Sequence, residues 1–275
     1  MNYIKTFSEI TDQDLSTVGG KGLSLAVLSR AGIPVPSGFV ITTEAYTAFS
    51  GQLIPDSLQQ SLIAAFDSLQ TERVAVRSSA TAEDSTTASW AGQLETYLNI
   101  TRETLFEAIT KCWKSMHTQR AIAYAQQQGI PADKQAMGVI IQKMVNSTIA
   151  GVMFTANPVT KNRDEIMIEA VYGLGELLVQ GMVTPFNVVV NKDTQRTITT
   201  AGDQETMLTL QNGETKEVPL PDTARADAVL TAEDITHLVT YGMTIEKLYG
   251  KPQDIEWAKD ENALFIVQAR PITTL

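Results

Sequence analysis

Residues 74–84 read VAVRSSATAED, a short apolar run followed at once by small polar residues. The apolar run is typical of a buried strand, and the residues after it are too small and polar to continue a core. Arg77 therefore stands at the carboxyl end of a buried strand, where its planar guanidinium suits a bidentate phosphate contact. The same residues also fit a structural role, in which Arg77 forms a salt bridge with Glu83 or Asp84 and so holds the loop. Both interpretations stay open.

A glycine-rich turn with one lysine, VGGKG, lies upstream at residues 18–22. Good helix formers fill residues 23–31, and Gly32 then supplies a helix C-cap. Lys21 is therefore expected on a turn at a helix N-terminus, where backbone N–H groups and the ammonium attract an anion such as phosphate. A capped turn with a surface lysine fits the same four residues.

The last two predicted strands flank a polar turn near the carboxyl end of the sequence. Asp254 and Glu256 alternate with apolar residues and so share one strand face, and Gln268 and Arg270 share a face of the next strand. A turn of odd length would bring these faces together and offer oxygen ligands of the kind that Mg²⁺ prefers. The alternative is a solvated face with a salt bridge between Arg270 and Glu256.

The amino-acid composition excludes several classes of function. The chain has 275 residues, a formal net charge of −10, 43% hydrophobic residues and 19% charged residues, which are globular values. The acidic balance argues against a general nucleic-acid binder or a binder of anionic membranes, because either needs a basic surface. Cys112 is the single cysteine, which excludes an intramolecular disulfide and a cysteine metal cluster. No apolar run reaches a membrane span and no leader pattern is present, so a cytoplasmic setting is expected.

The predicted elements follow an irregular order of strands and helices. This order favours an α+β fold in two lobes, residues 1–143 and residues 144–275, over a doubly wound sheet. Residues 101–128 are predicted to form the longest helix, and residues 202–222 a mobile excursion or an edge. TAED at residues 231–234 is typical of a capping box ahead of a helix that continues through Tyr249.

Several common catalytic motifs are missing. Lys21 has no glycine at the offset of a phosphate-binding P-loop, and GLGE at residues 173–176 lacks the third glycine of a dinucleotide fingerprint. His117 and His237 are the only histidines, and both lie in predicted helices without a glycine loop. We expect both histidines to be structural.

Taken together, the segments resemble one family, the nucleotide-binding domain of phosphoenolpyruvate synthases and pyruvate phosphate dikinases, which has an ATP-grasp fold. The resemblance covers essentially the whole chain in order, and residues 77–84 and the carboxyl-terminal motifs are most similar to phosphoenolpyruvate synthase and rifampicin phosphotransferase. The segments that carry it are residues 18–22, 74–84, 91–100, 151–158, 173–176, 254–257 and 267–271.

The resemblance implies a two-lobe fold with ATP and Mg²⁺ between the lobes. It assigns phosphate binding and catalysis to basic residues, closure over the phosphates to a loop, adenine binding to the hinge, and Mg²⁺ to two oxygen ligands. In this sequence the implied phosphate-binding and catalytic residues are Lys21, Arg77 and Arg270, the loop residues Gly92 and Thr96, the adenine-binding residues Gln142 and Met144, and the Mg²⁺ ligands Glu256 and Gln268.

The sequence also departs from the family pattern. It has no swivelling domain with a catalytic histidine and no acceptor domain, and the stretch from Ser50 to Arg73 looks short. We therefore expect an excised domain, a split subunit or a stand-alone enzyme, and in the first two cases a phosphoryl transfer from ATP to a histidine on a separate or missing domain. The alternatives are a kinase that phosphorylates a small molecule directly and a non-catalytic ATP-sensing subunit.

Overall fold

The computed structural model describes residues 2–81, 95–127, 131, 136–221, 224, 229–273 and 275. The chain folds into two compact units, of which the first is Met1–Gly32 with Pro36–Met144 and the second is Ile33–Val35 with Val145–Leu275. Each unit combines helices with an antiparallel sheet, which confirms the predicted α+β class. Every helix in the described part of the chain is too short or too polar to cross a lipid bilayer.

The first unit is built on a five-stranded antiparallel sheet with the order β1-β2-β5-β3-β4. Its strands are β1 (Ile4–Thr6), β2 (Gly38–Ile41), β3 (Val74–Ala80), β4 (Thr96–Ile100) and β5 (Met137–Lys143), and its helices are α1 (Leu15–Arg30), α2 (Thr43–Phe49), α3 (Asp56–Ser68), α4 (Leu105–Ser115) and α5 (Gln119–Gln127).

The two faces of this sheet have different roles. One face carries the apolar core, in which Val76 and Ile141 pack with side chains from α2, α3 and α4. The opposite face carries Arg77 and Gln142 and lies beside α1. The strand alternation therefore moves Arg77 away from the main core and towards the glycine turn of α1.

The predicted long helix over residues 101–128 is wrong, because two helices replace it. The chain turns after α4, where the backbone N–H groups of His117 and Thr118 donate to carbonyls three residues back. The Thr118 hydroxyl then accepts a hydrogen bond from the backbone N–H of Ala121 at 3.2 Å, at the beginning of α5. A threonine that caps a new helix favours such a break, and the buried residues of α5 belong to a separate cluster from those of α4.

The second unit is built on a six-stranded antiparallel sheet with the order β13-β12-β6-β7-β8-β9, together with a separate hairpin. The stretch expected to be an excursion over residues 202–222 contains this hairpin. The strands are β6 (Ile149–Phe154), β7 (Glu165–Tyr172), β8 (Phe186–Asn191), β9 (Thr197–Thr200), β10 (Thr206–Gln211), β11 (Glu214–Pro219), β12 (Gln253–Lys259) and β13 (Leu264–Pro271), and the helices are α6 (Glu176–Val179) and α7 (Ala232–Tyr249).

A capping box begins α7, as the sequence predicts. The Thr231 hydroxyl accepts from the backbone N–H of Asp234 at 3.1 Å, and the Asp234 carboxylate accepts from the backbone N–H of Thr231 at 3.1 Å. Lys259 on β12 donates to the same carboxylate at 2.6 Å and so ties the helix to the sheet. Burial opposes ionisation of Asp234, but the bonds from Lys259 and Thr231 outweigh it and lower its pKa.

Asp234→Asn should reduce the free energy of unfolding at neutral pH by about 1.5–3 kcal/mol, as for a hydrogen bond to a charged group. A carboxyl with a lowered folded-state pKa stabilises the fold above its unfolded-state pKa, and this contribution is lost as the pH falls through the folded-state value. The difference from wild type, measured by urea unfolding, should therefore disappear in acid. Glu233→Gln removes an exposed charge from the same helical turn and should have a much smaller effect; equal losses for the two variants would contradict the prediction.

Candidate functional site

The glycine turn of the first unit lies directly on strand β3. Helix α1 is broken at Gly19, which has φ 76° and ψ 171°, so Lys21 lies in the first turn of the helical segment after the kink. The backbone N–H of Gly22 donates to the Ser79 hydroxyl at 3.1 Å, and Lys21 Nζ lies 3.4 Å from the Ser78 carbonyl oxygen. The expected placement of Lys21 at a helix N-terminus is therefore what the structure shows.

Gly19→Ala should destabilise the chain by at least about 2 kcal/mol, since this backbone conformation is essentially restricted to glycine. A Cβ atom there would lie 2.3 Å from the Ser79 carbonyl oxygen, so the turn would have to leave β3. Gly32→Ala is a matched control, because Gly32 has the same φ of 76° and nothing within 4 Å of an added Cβ. Urea unfolding compares the two variants, and a loss in Gly19→Ala no larger than that in Gly32→Ala would contradict the prediction.

Arg77 is almost completely buried. Strand β3 continues to Ala80, beyond the expected end of the strand, because the Ser78 hydroxyl donates to the Glu95 carbonyl oxygen at 2.9 Å and Ser79 receives the Gly22 N–H. Thr96 lies directly opposite Arg77 in the β3–β4 pairing, so the structure brings these two predicted residues together. Gly92, Glu83 and Asp84 lie outside the described residues.

Gln142 and Met144 lie at the carboxyl end of β5. The Gln142 amide oxygen accepts a hydrogen bond from Arg77 Nη1 at 3.3 Å, and its amide nitrogen lies 3.5 Å from the Pro36 carbonyl oxygen. Met144 is the last residue of the first unit, and its backbone N–H donates to the Arg73 carbonyl oxygen at 3.1 Å.

In the second unit, Glu256 and Gln268 lie directly opposite each other on β12 and β13. The turn between these strands has an even length, residues 260–263, which by itself would place Glu256 opposite Val267. A β-bulge between Glu256 and Trp257 shifts the register by one residue and so pairs Glu256 with Gln268. Bulges of this kind re-aim side chains next to functional sites.

The same bulge places Asp254 opposite Arg270. Arg270 Nε and Nη2 both donate to Asp254 Oδ2, at 2.9 and 2.8 Å, so Asp254 holds the Arg270 guanidinium in an ion pair. Burial raises the pKa of Asp254, although Arg270 beside it acts in the opposite direction. The sequence showed Asp254 on the acidic face, but not that it is the residue that orients Arg270.

A third carboxylate, Glu169, lies on the same sheet face and was not among the predicted residues. Val152 on β6 is the register partner of both Glu256 and Glu169, so Glu169 is two strands from Glu256. Burial raises the pKa of Glu169, and the nearby charge of Asp254 raises it further. Only the register of three strands reveals this neighbour, since Glu169 looks like an ordinary strand residue in the sequence.

The Glu256 and Gln268 pair fits Mg²⁺ by its donor chemistry, because both supply oxygen atoms. In the described part of the chain, no cluster of three or more histidine, cysteine, aspartate and glutamate side chains could hold a metal ion. Magnesium commonly takes one or two protein ligands and completes its shell with water and phosphate oxygens. The residues present therefore suit a cation that arrives with a phosphorylated ligand.

The two histidines and the cysteine make structural contacts. His117 Nε2 lies 3.2 Å from the Tyr46 hydroxyl, and the His237 ring stacks on Tyr241. Burial raises the pKa of Cys112 to about 12, which keeps the thiol protonated and unreactive.

The comparison with protein families gives one match, described as "Pyruvate phosphate dikinase, AMP/ATP-binding domain", over residues 15–53 and 48–275. The two matched segments meet at residues 48–53, where the stretch expected to be short begins. The match therefore includes Lys21, Arg77 and the paired β12 and β13 strands.

Curated relatives are similar along nearly the whole chain. A probable phosphoenolpyruvate synthase from Methanocaldococcus jannaschii is 39% identical over 320 aligned positions, which cover 100% of this chain and 27% of the relative. A rifampicin phosphotransferase from Streptomyces sp is 38% identical over 301 positions, which cover 95% of this chain and 35% of the relative. The chain spans 27% to 46% of the length of eight of the curated relatives that it matches.

Among solved structures, a D-alanine–D-alanine ligase from Bacillus anthracis matches with a TM-score of 0.41 and 8% identity, covering 92% of this chain and 56% of the ligase. We draw no conclusion from a likeness of this level. The family match covers residues 15–275, almost the entire sequence, and on that basis the chain belongs to the pyruvate phosphate dikinase AMP/ATP-binding domain family.

Proposed function

We propose that this chain binds Mg·ATP and passes a phosphoryl group from ATP to a histidine on a swivelling domain, of the phosphoenolpyruvate synthase and rifampicin phosphotransferase type. The observation that carries the proposal is the pairing of Glu256 with Gln268 beside the Asp254–Arg270 ion pair. This arrangement puts oxygen ligands for a divalent cation next to a guanidinium that suits phosphate. Family membership supports ATP as the nucleotide, and the names of the relatives support phosphotransfer.

In the first unit, Lys21 and Arg77 are proposed to bind the phosphates of ATP. Lys21 supplies a point charge in the first helical turn after the kink at Gly19, and Arg77 supplies a planar guanidinium that can donate two parallel hydrogen bonds to phosphate. Thr96, opposite Arg77, and Gly92 are proposed to belong to the loop that closes over the phosphates. For the adenine, we assign Gln142 and the main chain around Met144, on the strength of the resemblance.

In the second unit, Glu256 and Gln268 are proposed to hold Mg²⁺, and Arg270 to contact the polyphosphate. When bound, Mg²⁺ supplies neutralisation of the charge that develops on the transferred phosphoryl group. Asp254 holds the guanidinium of Arg270 in place through two hydrogen bonds to one oxygen. The reaction expected for the family converts ATP, water and a histidine into phosphohistidine, AMP and phosphate. Consumption of ATP fits the cytoplasmic setting expected from the sequence.

Nucleotide analysis by mass spectrometry tests the proposal. The purified chain is incubated with Mg·ATP alone, with a separately supplied histidine domain of this family, and with that domain carrying a histidine-to-alanine change. AMP and phosphohistidine should form only with the intact histidine domain.

Two other results would overturn the proposal in different ways. ADP or AMP formed by the chain alone, together with a phosphorylated small acceptor, would indicate a kinase that acts directly. Tight ATP binding by calorimetry with no product in any mixture would indicate an ATP sensor.

A further inference from the structure

The Ser79 side chain joins strand β3 to the helical segment that carries Lys21. The first backbone N–H groups of a helical segment have no carbonyl of their own helix to bond, and the kink at Gly19 starts such a segment inside α1. One of these groups, the N–H of Gly22, donates to the Ser79 hydroxyl at 3.1 Å. Ser79 is fully buried, so water does not compete for this contact. Ser79 therefore caps the segment from a position 57 residues further along the chain.

The turn reaches Ser79 because two glycines lack the side chains that would hold it away from the sheet. Ser79 pairs with Gly138 in the β3–β5 register, and a Cβ atom at Gly138 would lie 2.7 Å from the Val18 carbonyl oxygen. A Cβ atom at Gly19 would lie 2.4 Å from the Ser79 hydroxyl oxygen itself. Serine is the smallest side chain with a strong hydrogen-bond acceptor, so it suits a position that is this crowded.

The strand that supplies the cap also carries Arg77. Arg77 and Ser79 are two residues apart on β3 and therefore share the sheet face beside α1. The ammonium of Lys21 reaches the same strand, since its Nζ lies 3.4 Å from the Ser78 carbonyl oxygen. The helical segment is thus attached to β3 at two consecutive residues, through the backbone at Ser79 and through the Lys21 side chain at Ser78.

We infer that Ser79 is a positioning residue, which fixes Lys21 relative to Arg77 by capping the helical segment after the kink. The inference rests on the proposed function in one respect, the binding of ATP phosphates by these two cations. Two cations bind one polyphosphate best when their spacing is set before the ligand arrives, because the ligand then does not have to order them. Without the Ser79 hydroxyl, the buried Gly22 N–H loses this acceptor, and the turn that carries Lys21 is held less firmly on β3.

Removal of one hydroxyl on each side of the kink tests the inference. Ser79→Ala removes the cap with little change in size, and we expect it to weaken binding of Mg·ATP and of inorganic tripolyphosphate by the same factor, about ten-fold, because it displaces a charge-assisted contact to phosphate. Thr43→Val is the matched control, since the Thr43 hydroxyl donates to the Ser16 carbonyl oxygen at 2.9 Å, on the part of α1 before the kink. The control should leave both affinities unchanged in calorimetry. Equal losses in the two variants, or no loss in Ser79→Ala, would overturn the inference.

A double-mutant cycle checks that the effect passes through Lys21. Lys21→Met keeps most of the length of the side chain but removes its charge. Ser79→Ala should weaken tripolyphosphate binding about ten-fold in the wild-type background and by less than about two-fold in the Lys21→Met background. The same loss in both backgrounds would show that Ser79 acts independently of Lys21 and would contradict the inference.

Hydrogen exchange, measured by NMR on the chain without ligand, tests the cap separately from nucleotide binding. The Gly22 amide should exchange at least about ten-fold faster in Ser79→Ala than in wild type, as for the loss of one buried hydrogen bond, while Leu25 and Ala26 later in α1 keep their protection. Unchanged exchange at Gly22 would overturn the inference. Faster exchange at Gly22, in a chain whose wild type binds neither ATP nor tripolyphosphate, would support the cap and refute only the proposed function.

Discussion

Replacement of Glu256 by glutamine is expected to lower Mg-dependent phosphoryl transfer from ATP by about a hundred- to a thousand-fold, the loss usually seen when one preorganised electrostatic group is removed. Glutamine keeps the size of the side chain and one oxygen donor but removes the negative charge. Gln268, which lies opposite Glu256 on β13, is already neutral, so the variant would offer the cation two amide oxygens. The measurement is phosphohistidine formation with a supplied histidine domain over a series of Mg²⁺ concentrations.

The concentration series distinguishes loss of a metal ligand from general damage. If Glu256 binds Mg²⁺, half-maximal transfer by Glu256→Gln should require much more Mg²⁺ than in wild type, while thermal stability without nucleotide should stay close to wild type. Glu261→Gln is the matched control, because it removes the same charge from an exposed position in the neighbouring turn. An unchanged Mg²⁺ requirement in Glu256→Gln would rule out the proposed ligand role.

Local signals account for the parts of the fold that the sequence predicts well. The α7 capping box, the end of α1 before Gly32 and the last two strands each depend on residues within a few positions of one another. The break at Thr118 is also local, but the good helix formers that follow it, from Gln119 to Gln127, conceal it. Helical periodicity shows which side chains face the core and cannot show whether the backbone turns between them.

The site itself depends on contacts between residues that are far apart in the sequence. Strand alternation places Asp254 and Glu256 on one face, but a bulge decides whether Gln268 shares it, and a bulge has no reliable local signal. Gln142 and Arg77 are 65 residues apart, and only the pairing of β3 with β5 makes them neighbours. The residue types at the site were therefore predictable, whereas the partner that orients each of them was not.

Asp254→Asn should affect stability and activity differently. We expect no loss of thermal stability at neutral pH, but about a ten- to hundred-fold loss of phosphoryl transfer. Burial raises the pKa of Asp254 in the folded state, even with Arg270 beside it. A carboxyl of this kind contributes most to stability when protonated, below its unfolded-state pKa, and that contribution is lost as the pH rises through the folded-state value. The ionised carboxylate at neutral pH therefore costs stability, and asparagine removes that cost while its oxygen still accepts from Arg270.

Activity should fall because a single asparagine oxygen holds Arg270 less firmly than the charged oxygen that now accepts from both Nε and Nη2. Thermal unfolding between pH 5 and pH 8 should show a flatter pH dependence for Asp254→Asn than for wild type, and transfer to the histidine domain gives the loss of activity. Asp193→Asn, at an exposed position after β8, is the matched control and should change neither quantity. A fall in stability that matches the fall in activity would mean that Asp254 serves the fold and does not position Arg270, since the positioning role requires the two measurements to diverge.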